Sequence, residues 1–549
     1  MESGCSVAGF SLDPSQHIHF VGIGGVGLSA IARVLLERGF TISGSDPQTN
    51  PLVEALRADG ARIYQGHAAQ NVQGAHAVVR SSAVPVDNPE VRAARMQGIP
   101  VFRRAEFLPY VLAGRVSVAV AGTHGKTTTS SMIVHMLMAA GLEPGFIIGG
   151  VLPKLNTNAR AGEGPIFVIE ADEYDNMFLG TCPHVAVVTN IEHEHPDIFA
   201  DRGEVVAAFA RFVLLLPEDG LLVACADDMG ARALGNLWRA AGRKVLFYGL
   251  ENKRADLRAT GLWNNDVGGS DFVVQECGRT RGSVRLQVPG KHNVLNALAA
   301  LAVANYFGLI FDEAEDALVE FTGAGRRFSV CGRVSGVTAI DDYAHHPTAI
   351  RATLEAARAR YPDKTLWAVW QPHTYSRTRA FLDGFAASFD DADRVIITDV
   401  YAARESDTLG IGAEDVVARM DKDRWVKHIG GDLSNVVDEL ERGVSGNDVV
   451  IVMSAGDATA IGPMLIERLE TRLRDEDEYN PFLATAYEYD DWDDPWADAF
   501  DDEMLLIEEY GDVPREAVKE IRRLAREQKV SITRGLIDRV MRRLRKSDE

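Results

Sequence analysis

Cysteine is scarce in this sequence. Only Cys5, Cys182, Cys225, Cys277 and Cys331 occur in 549 residues, and no two form a CxxC pair. Such scattered thiols are expected as isolated residues in a reducing cytoplasm, not as a disulfide framework or a zinc site. Long apolar runs are also missing. None reaches the roughly 18 residues that a membrane-spanning helix needs, so membrane insertion is not expected. The opening residues, MESGCSVAGFSLDPSQ, have neither the basic start nor the apolar stretch of a secretory signal. Positive charge is in short supply, with 57 Lys+Arg against 79 Asp+Glu and a net charge of −22. That excludes a general binder of nucleic acid or of anionic membranes, which needs a positive surface. No internal repeat is present.

What is there is ordinary globular composition, 46% hydrophobic and 25% charged, over a length sufficient for several cores. The acidity is local. Residues 475–512 hold 16 Asp+Glu and no Lys or Arg, whereas 513–549 hold 12 Lys+Arg and 6 Asp+Glu. The other 474 residues carry −12. Residues 475–512 read as a disordered acidic linker. Residues 513–549 read as a basic helical tail, with self-association against the acidic stretch or a protein partner as its uses.

Strand and helix patterns alternate through the rest, which indicates an α/β chain with parallel sheets covered on both faces. The first unit, 1–114, opens with the strand and turn IHFVGIGGVG. The second, 115–325, opens with the strand Val116–Ala121. Further strands are expected at Ile166–Ala171 and Val185–Asn190, and a helix over Gly290–Phe307. The third, 326–474, carries strands at Thr365–Gln371, Arg394–Asp399 and Val449–Ser454.

Chemistry concentrates at the ends of these strands. Gly122-Thr123-His124-Gly125-Lys126-Thr127-Thr128 joins a strand to a helix, the setting of a phosphate-binding loop. There Lys126 can reach β/γ oxygens and the Thr127 hydroxyl can ligate Mg²⁺. Its spacing is shorter than GxxxxGK[ST]. The next strand ends in Glu170, Asp172, Glu173 and Asp175. The one after runs into Glu192, His193, Glu194, His195 and Asp197. Mg²⁺ favours carboxylate oxygens, and imidazole is a less usual ligand for it. Gly22, Gly24, Gly25 and Gly27, with Asp46 further on, form a dinucleotide fingerprint that by itself suggests an NAD-dependent oxidoreductase. Such a fingerprint does not fix function. Three more constellations follow: Gly323–Phe328 with Arg326 and Arg327, Asp341–Pro347 with His345 and His346, and Gln371–Thr378 with His373 and Arg377.

Taken together, GIGGVG, SSAVP, DNPE, RRAEFL, AGTHGKTTT, EADEYD, TNIEHEHPD, GKHNVLNALAA, FTGAGRRF, DDYAHHPT and QPHTYSRT resemble the Mur ligases, the ATP-dependent amide-forming enzymes of peptidoglycan synthesis, over His17 to about Leu469. The resemblance implies a three-domain architecture. A Rossmann-like N-terminal domain binds the UDP substrate, a P-loop ATPase domain follows, and a Rossmann-like C-terminal domain closes the ATP site. It implies joining L-alanine to the carboxylate of UDP-N-acetylmuramate with ATP and Mg²⁺, with ligation of a murein tripeptide as the alternative. Gly24, Gly25, Gly27, Asp46, His67 and Ser82 would hold the UDP part. Lys126 and Thr127 would hold ATP phosphates and Mg²⁺, and Glu170 with His195 a second Mg²⁺. Asn293 and Asn296 would meet the adenine end, and Arg327 and Asp342 would close the site. His345, His373 and Arg377 would position the amino acid and the acyl group. Some relatives steady a metal with a carbamylated lysine. No lysine lies between Lys154 and Lys244, so that device is not expected here. Glu194-His195 also stands where the family pattern has Asp-His.

Overall fold

The computed structural model of the chain describes residues 10–478. Cys5, nearly all of the acidic stretch 475–512, and the basic tail 513–549 lie outside the described residues. The helix Ile461–Glu478 runs past Arg474, so the first residues of that stretch are helical, contrary to the expected linker.

Five parallel strands make the first sheet: β1 (His17–Val21), β2 (Thr41–Asp46), β3 (Arg62–Gln65), β4 (Ala77–Arg80) and β5 (Val101–Arg103). Their order is β3-β2-β1-β4-β5. The chain reverses direction across the sheet between β1 and β4, where α/β sheets open a crevice at the carboxyl ends of the strands. The glycine-rich turn leaves β1 at that point, and Ser81-Ser82 leaves β4. Asn50 and Asn88 accept hydrogen bonds from Val53 N and Glu90 N, capping the helices Pro51–Ala58 and Pro89–Met96.

The second sheet has ten strands: β6 (Val116–Ala121), β7 (Gly145–Leu152), β8 (Thr157–Arg160), β9 (Ile166–Glu170), β10 (Val185–Val188), β11 (Leu221–Cys225), β12 (Lys244–Gly249), β13 (Leu257–Asn264), β14 (Ser270–Glu276) and β15 (Arg279–Leu286). They lie in the order β15-β14-β13-β12-β11-β10-β6-β9-β7-β8. β6 sits between β9 and β10 and parallel to both, so the phosphate loop and the two acidic loops leave the same edge side by side. The sequence reading leaves residues 191–289 without elements. The structure places two more parallel strands there, and an antiparallel meander, β13–β15. β11 is a short, wholly buried apolar run, which periodicity cannot tell from helix. The meander is half exposed and carries register shifts at Thr260/Trp263 and Val274/Gln275, which blur its alternation.

The third sheet comprises β16 (Ser329–Val334), β17 (Val337–Asp342), β18 (Thr365–Trp370), β19 (Arg394–Ile397), β20 (Trp425–His428) and β21 (Asp448–Met453). Its order is β16-β17-β21-β18-β19-β20, parallel except at the β16 edge. One buried cluster is continuous from Ile18 in the first sheet through Val118 to Phe321. The third sheet has its own layers on its two faces, one around Trp370 and Phe385, the other around Trp367 and Leu465.

Cys225, Cys277 and Cys331 are free thiols.

Candidate active site

Gly122 follows β6 with φ +142°, and Gly125 precedes the helix Lys126–Ala139 with φ +82°. A methyl group at Gly122 would run into Thr189 Oγ1, and one at Gly125 into Asn296 Oδ1. Glycine is therefore required by conformation and by space. The loop after β10 braces this turn. Thr189 donates to His124 O at 2.6 Å, His124 N donates to Asn190 Oδ1 at 2.8 Å, and Glu192 N donates to Thr123 Oγ1 at 2.9 Å. Asn296 accepts from Thr129 at 3.1 Å and donates to Asn293 Oδ1 at 3.2 Å, so both asparagines pack behind the start of the helix.

Lys126 Nζ donates to Glu173 Oε2 at 2.8 Å and stands 3.8 Å from Asp172 Oδ1. Burial opposes its charge, but Glu173 and Asp172 outweigh that and hold the ammonium above its ordinary range. Burial pushes Glu173 up to about 7 against the pull of Lys126. Thr127 Oγ1 donates to Glu170 Oε1 at 3.1 Å, and Gly149 N donates to the other oxygen, Oε2, at 2.6 Å. Arg327 arrives from the junction before β16, and its Nη2 donates to Thr127 Oγ1 at 3.0 Å. The junction is held by Asp342, which accepts from Phe328 N and Ala344 N, both at 2.8 Å, and from Thr353 Oγ1 at 3.2 Å. Asp342 thus shapes the turn that presents Arg327.

These side chains line one cavity of about 810 Å³, together with Asn293, Asn296, His345 and, from the first domain, Val26, Gly27 and Arg104. That is the size of a nucleotide or cofactor site. Two groups of donors close enough to hold a metal ion occur among the described residues, Asp172–Glu173–His195 and His124–Glu192–His346. His195 therefore groups with Asp172 and Glu173, and Glu170 groups with Thr127.

The expected UDP residues gather at the carboxyl ends of the first sheet. Gly24 N donates to Asp46 Oδ2 at 2.9 Å, and a methyl on Gly24 would come 2.8 Å from that oxygen. His67 Nδ1 is 2.9 Å from Ser45 Oγ and 3.1 Å from the buried Glu90. Gly25 caps the helix Val26–Glu37, and Ser82 donates to Asp175 of the second domain. His373 and Arg377 do not line the cavity. Arg377 is 4% exposed, and its Nε donates to Glu194 Oε1 at 2.7 Å while its Nη1 meets His373 Nδ1 at 2.9 Å. The His345 Nδ1–H donates to Tyr343 O at 2.7 Å.

Sequence reasoning assigned no role to Arg104, Thr189 or Asn190. The methyl-free Gly27 was a signal for the first, because Arg104 Nη1 occupies the space a Cβ there would take. Burial pulls the Arg104 guanidinium below its usual range against the carboxylates of Asp172, Asp175 and Glu170.

Three family profiles cover most of the chain. The Mur ligase family catalytic domain matches residues 17–115, the Mur ligase middle domain 120–304, and the Mur ligase glutamate ligase domain 326–456. This chain belongs to the Mur ligase family. Among its Mur relatives, UDP-N-acetylmuramate–L-alanine ligase of Paenarthrobacter aurescens is 44% identical over 465 residues, 84% of this chain and 99% of the relative. The enzyme of that name from Caldanaerobacter subterraneus is 41% identical, over 83% of this chain and 98% of its own. Among solved Mur structures, UDP-N-acetylmuramate–alanine ligase of Thermotoga maritima superposes with a TM-score of 0.70 at 29% identity, covering 83% of this chain and 100% of that one. A murein peptide ligase of Psychrobacter arcticus gives 0.62 at 25% identity, covering 83% and 99%.

Proposed function

We propose that this chain joins L-alanine to the carboxylate of UDP-N-acetylmuramate while ATP becomes ADP and phosphate. The observation that carries this reading is a full-length likeness to L-alanine ligases in a chain that gathers Lys126, Thr127, Glu170 and Arg327 at one cavity. The tripeptide alternative is not favoured, since the alanine ligases match at higher identity and the murein peptide ligase superposes less well.

In this reading residues 1–114 take the nucleotide sugar, 115–325 bind ATP, and 326–474 close the site. A carboxylate is a poor acyl donor. Its oxygen attacks the γ-phosphorus, ADP leaves, and the resulting acyl phosphate accepts the amine of L-alanine. Loss of a proton from nitrogen and of phosphate from carbon gives the amide. Lys126 supplies a fixed cation at the phosphate loop, and Arg327 supplies a second from the third domain. Thr127 and Glu170, 3.1 Å apart, are oxygen donors of the kind Mg²⁺ takes, and the carboxylates of Asp172 and Glu173 beside His195 offer a further set. Bound Mg²⁺ neutralises charge on phosphoryl oxygens. Arg104 faces the same cavity and suits an anionic group of the nucleotide sugar. The reaction belongs in the cytoplasm, where ATP and nucleotide sugars meet. Among the described residues no helix is long and apolar enough to cross a membrane.

Lys126→Ala is expected to abolish alanine-dependent release of phosphate while the protein stays folded by circular dichroism. Undiminished turnover in that variant would overturn the assignment of the phosphate loop.

A further inference from the structure

A second cluster of donors runs from the phosphate loop itself to the third sheet; two of its members, His124 and Glu192, line the same cavity, and none of the three has a step in the chemistry above. His124 comes from the loop after β6, Glu192 from the loop after β10, and His346 from the loop after β17. His124 Nε2 lies 3.5 Å from Glu192 Oε2, and His346 Nδ1 lies 3.6 Å from the same oxygen. One donor atom from each residue falls within 4.8 Å of the others. The two imidazole rings stand 4.9 Å apart between centroids.

These distances are too long for hydrogen bonds. His124 Nε2, the nitrogen that faces Glu192, is buried with no hydrogen-bond partner, and His346, which faces Glu192 with Nδ1, is only 5% exposed. A buried nitrogen left unpaired calls for an explanation. The separations fit another geometry. A tetrahedral ion with ligands at about 2.1 Å has edges of about 3.4 Å, as zinc has with histidine and carboxylate ligands. Two imidazoles and one carboxylate are the donor set of a borderline transition ion, whereas Mg²⁺ takes oxygen. The surroundings support the ligands. Thr348 Oγ1 donates to Glu192 Oε2 at 2.8 Å, which orients the carboxylate, and Thr348 N donates to His346 Nδ1 at 3.3 Å as the N-cap bond of the helix Pro347–Arg360, a bond that an ion on Nδ1 would replace.

We propose that His124, Glu192 and His346 form a site for a divalent transition ion of the zinc class, with water in the fourth position, that ties the phosphate loop to the third sheet. The ion binds the docked arrangement of the three loops and thereby stabilises it. The assignment is independent of which amino acid the enzyme uses.

The probe is Co²⁺, titrated into the full chain after chelator treatment in millimolar Mg²⁺, read by the visible absorption of four-coordinate cobalt. One equivalent is expected to bind and to be displaced by one equivalent of Zn²⁺. Glu192→Gln and His346→Gln are each expected to weaken that binding by about tenfold or more. His195→Gln, in the other donor group, is expected to leave it unchanged. X-ray absorption on the zinc-loaded unmodified chain provides a reading that needs no variant, with two imidazoles expected in the shell. Absence of stoichiometric binding, full affinity in both the Glu192 and His346 variants, loss only in the His195 variant, or a shell with fewer than two imidazoles would each overturn the proposal.

Discussion

Arg104 presents its guanidinium to the cavity from the first domain, beside the glycine that makes room for it. Its replacement by alanine is expected to raise KM for the nucleotide sugar about tenfold or more while kcat changes less, since the interaction lost is one of binding. Steady-state kinetics with varied UDP-N-acetylmuramate checks this, and an unchanged KM would remove Arg104 from the site. Arg377 behaves differently. It is buried against Glu194, with both side chains about 5% exposed or less, and Glu194 is held well below the usual carboxylate range, its burial outweighed by Arg377 and the neighbouring histidines. Glu194→Ala leaves a buried guanidinium without its counter-charge and is expected to cost about 3–5 kcal/mol of stability, read as a lower denaturant midpoint. The phosphate loop, with Lys126 and Thr127, was legible in the sequence because its residues are neighbours along the chain. The Arg377–Glu194 pair was not, because its partners meet only when the third sheet docks on the second.

Among elements, the helix Pro89–Met96 carries a polar network into the first sheet. The fully buried Glu90 near its start accepts from Ser45 at 2.5 Å and from Asn71 at 2.6 Å, and it contacts His67 and His19. Burial raises its carboxyl, but the bonds from His19, Ser45 and Asn71 prevail and bring it down to about 2. A lowered carboxylate contributes stability that is complete above its ordinary value of 4.5 and is lost as pH falls towards about 2. Glu90→Gln is therefore expected to be less stable than the unmodified chain by about 1–3 kcal/mol at neutral pH, with the gap closing between those pH values. Urea unfolding at a series of pH values checks this, and a gap that widens in acid would contradict it. Elements such as β6, β9, β10 and β18 announced themselves as apolar runs that end in charged or glycine-rich turns. The meander β13–β15 did not, because half-buried strands with bulges have neither a clean alternation nor a continuous apolar run.

For the whole molecule, the unit that runs to Glu470 contains all three sheets and the cavity. The net charge of −22 is a sum over that unit and an acidic, then basic, extension beyond it. Removing residues 479–549 is expected to leave kcat/KM for L-alanine within about twofold, since the family profiles end at residue 456 and the L-alanine ligase of Paenarthrobacter aurescens is matched over 99% of its length by 84% of this chain. A larger loss in the truncated chain would give the extension a part in catalysis. The central claim concerns the product. The full chain, supplied with UDP-N-acetylmuramate, ATP, Mg²⁺ and either radiolabelled L-alanine or the tripeptide L-alanyl-γ-D-glutamyl-diaminopimelate, tests it directly. The account predicts labelled UDP-N-acetylmuramoyl-L-alanine, with one ADP and one phosphate for each molecule formed and no phosphate release when either acceptor or amino acid is left out. Preferential incorporation of the tripeptide, or amide formation without ATP, would contradict it.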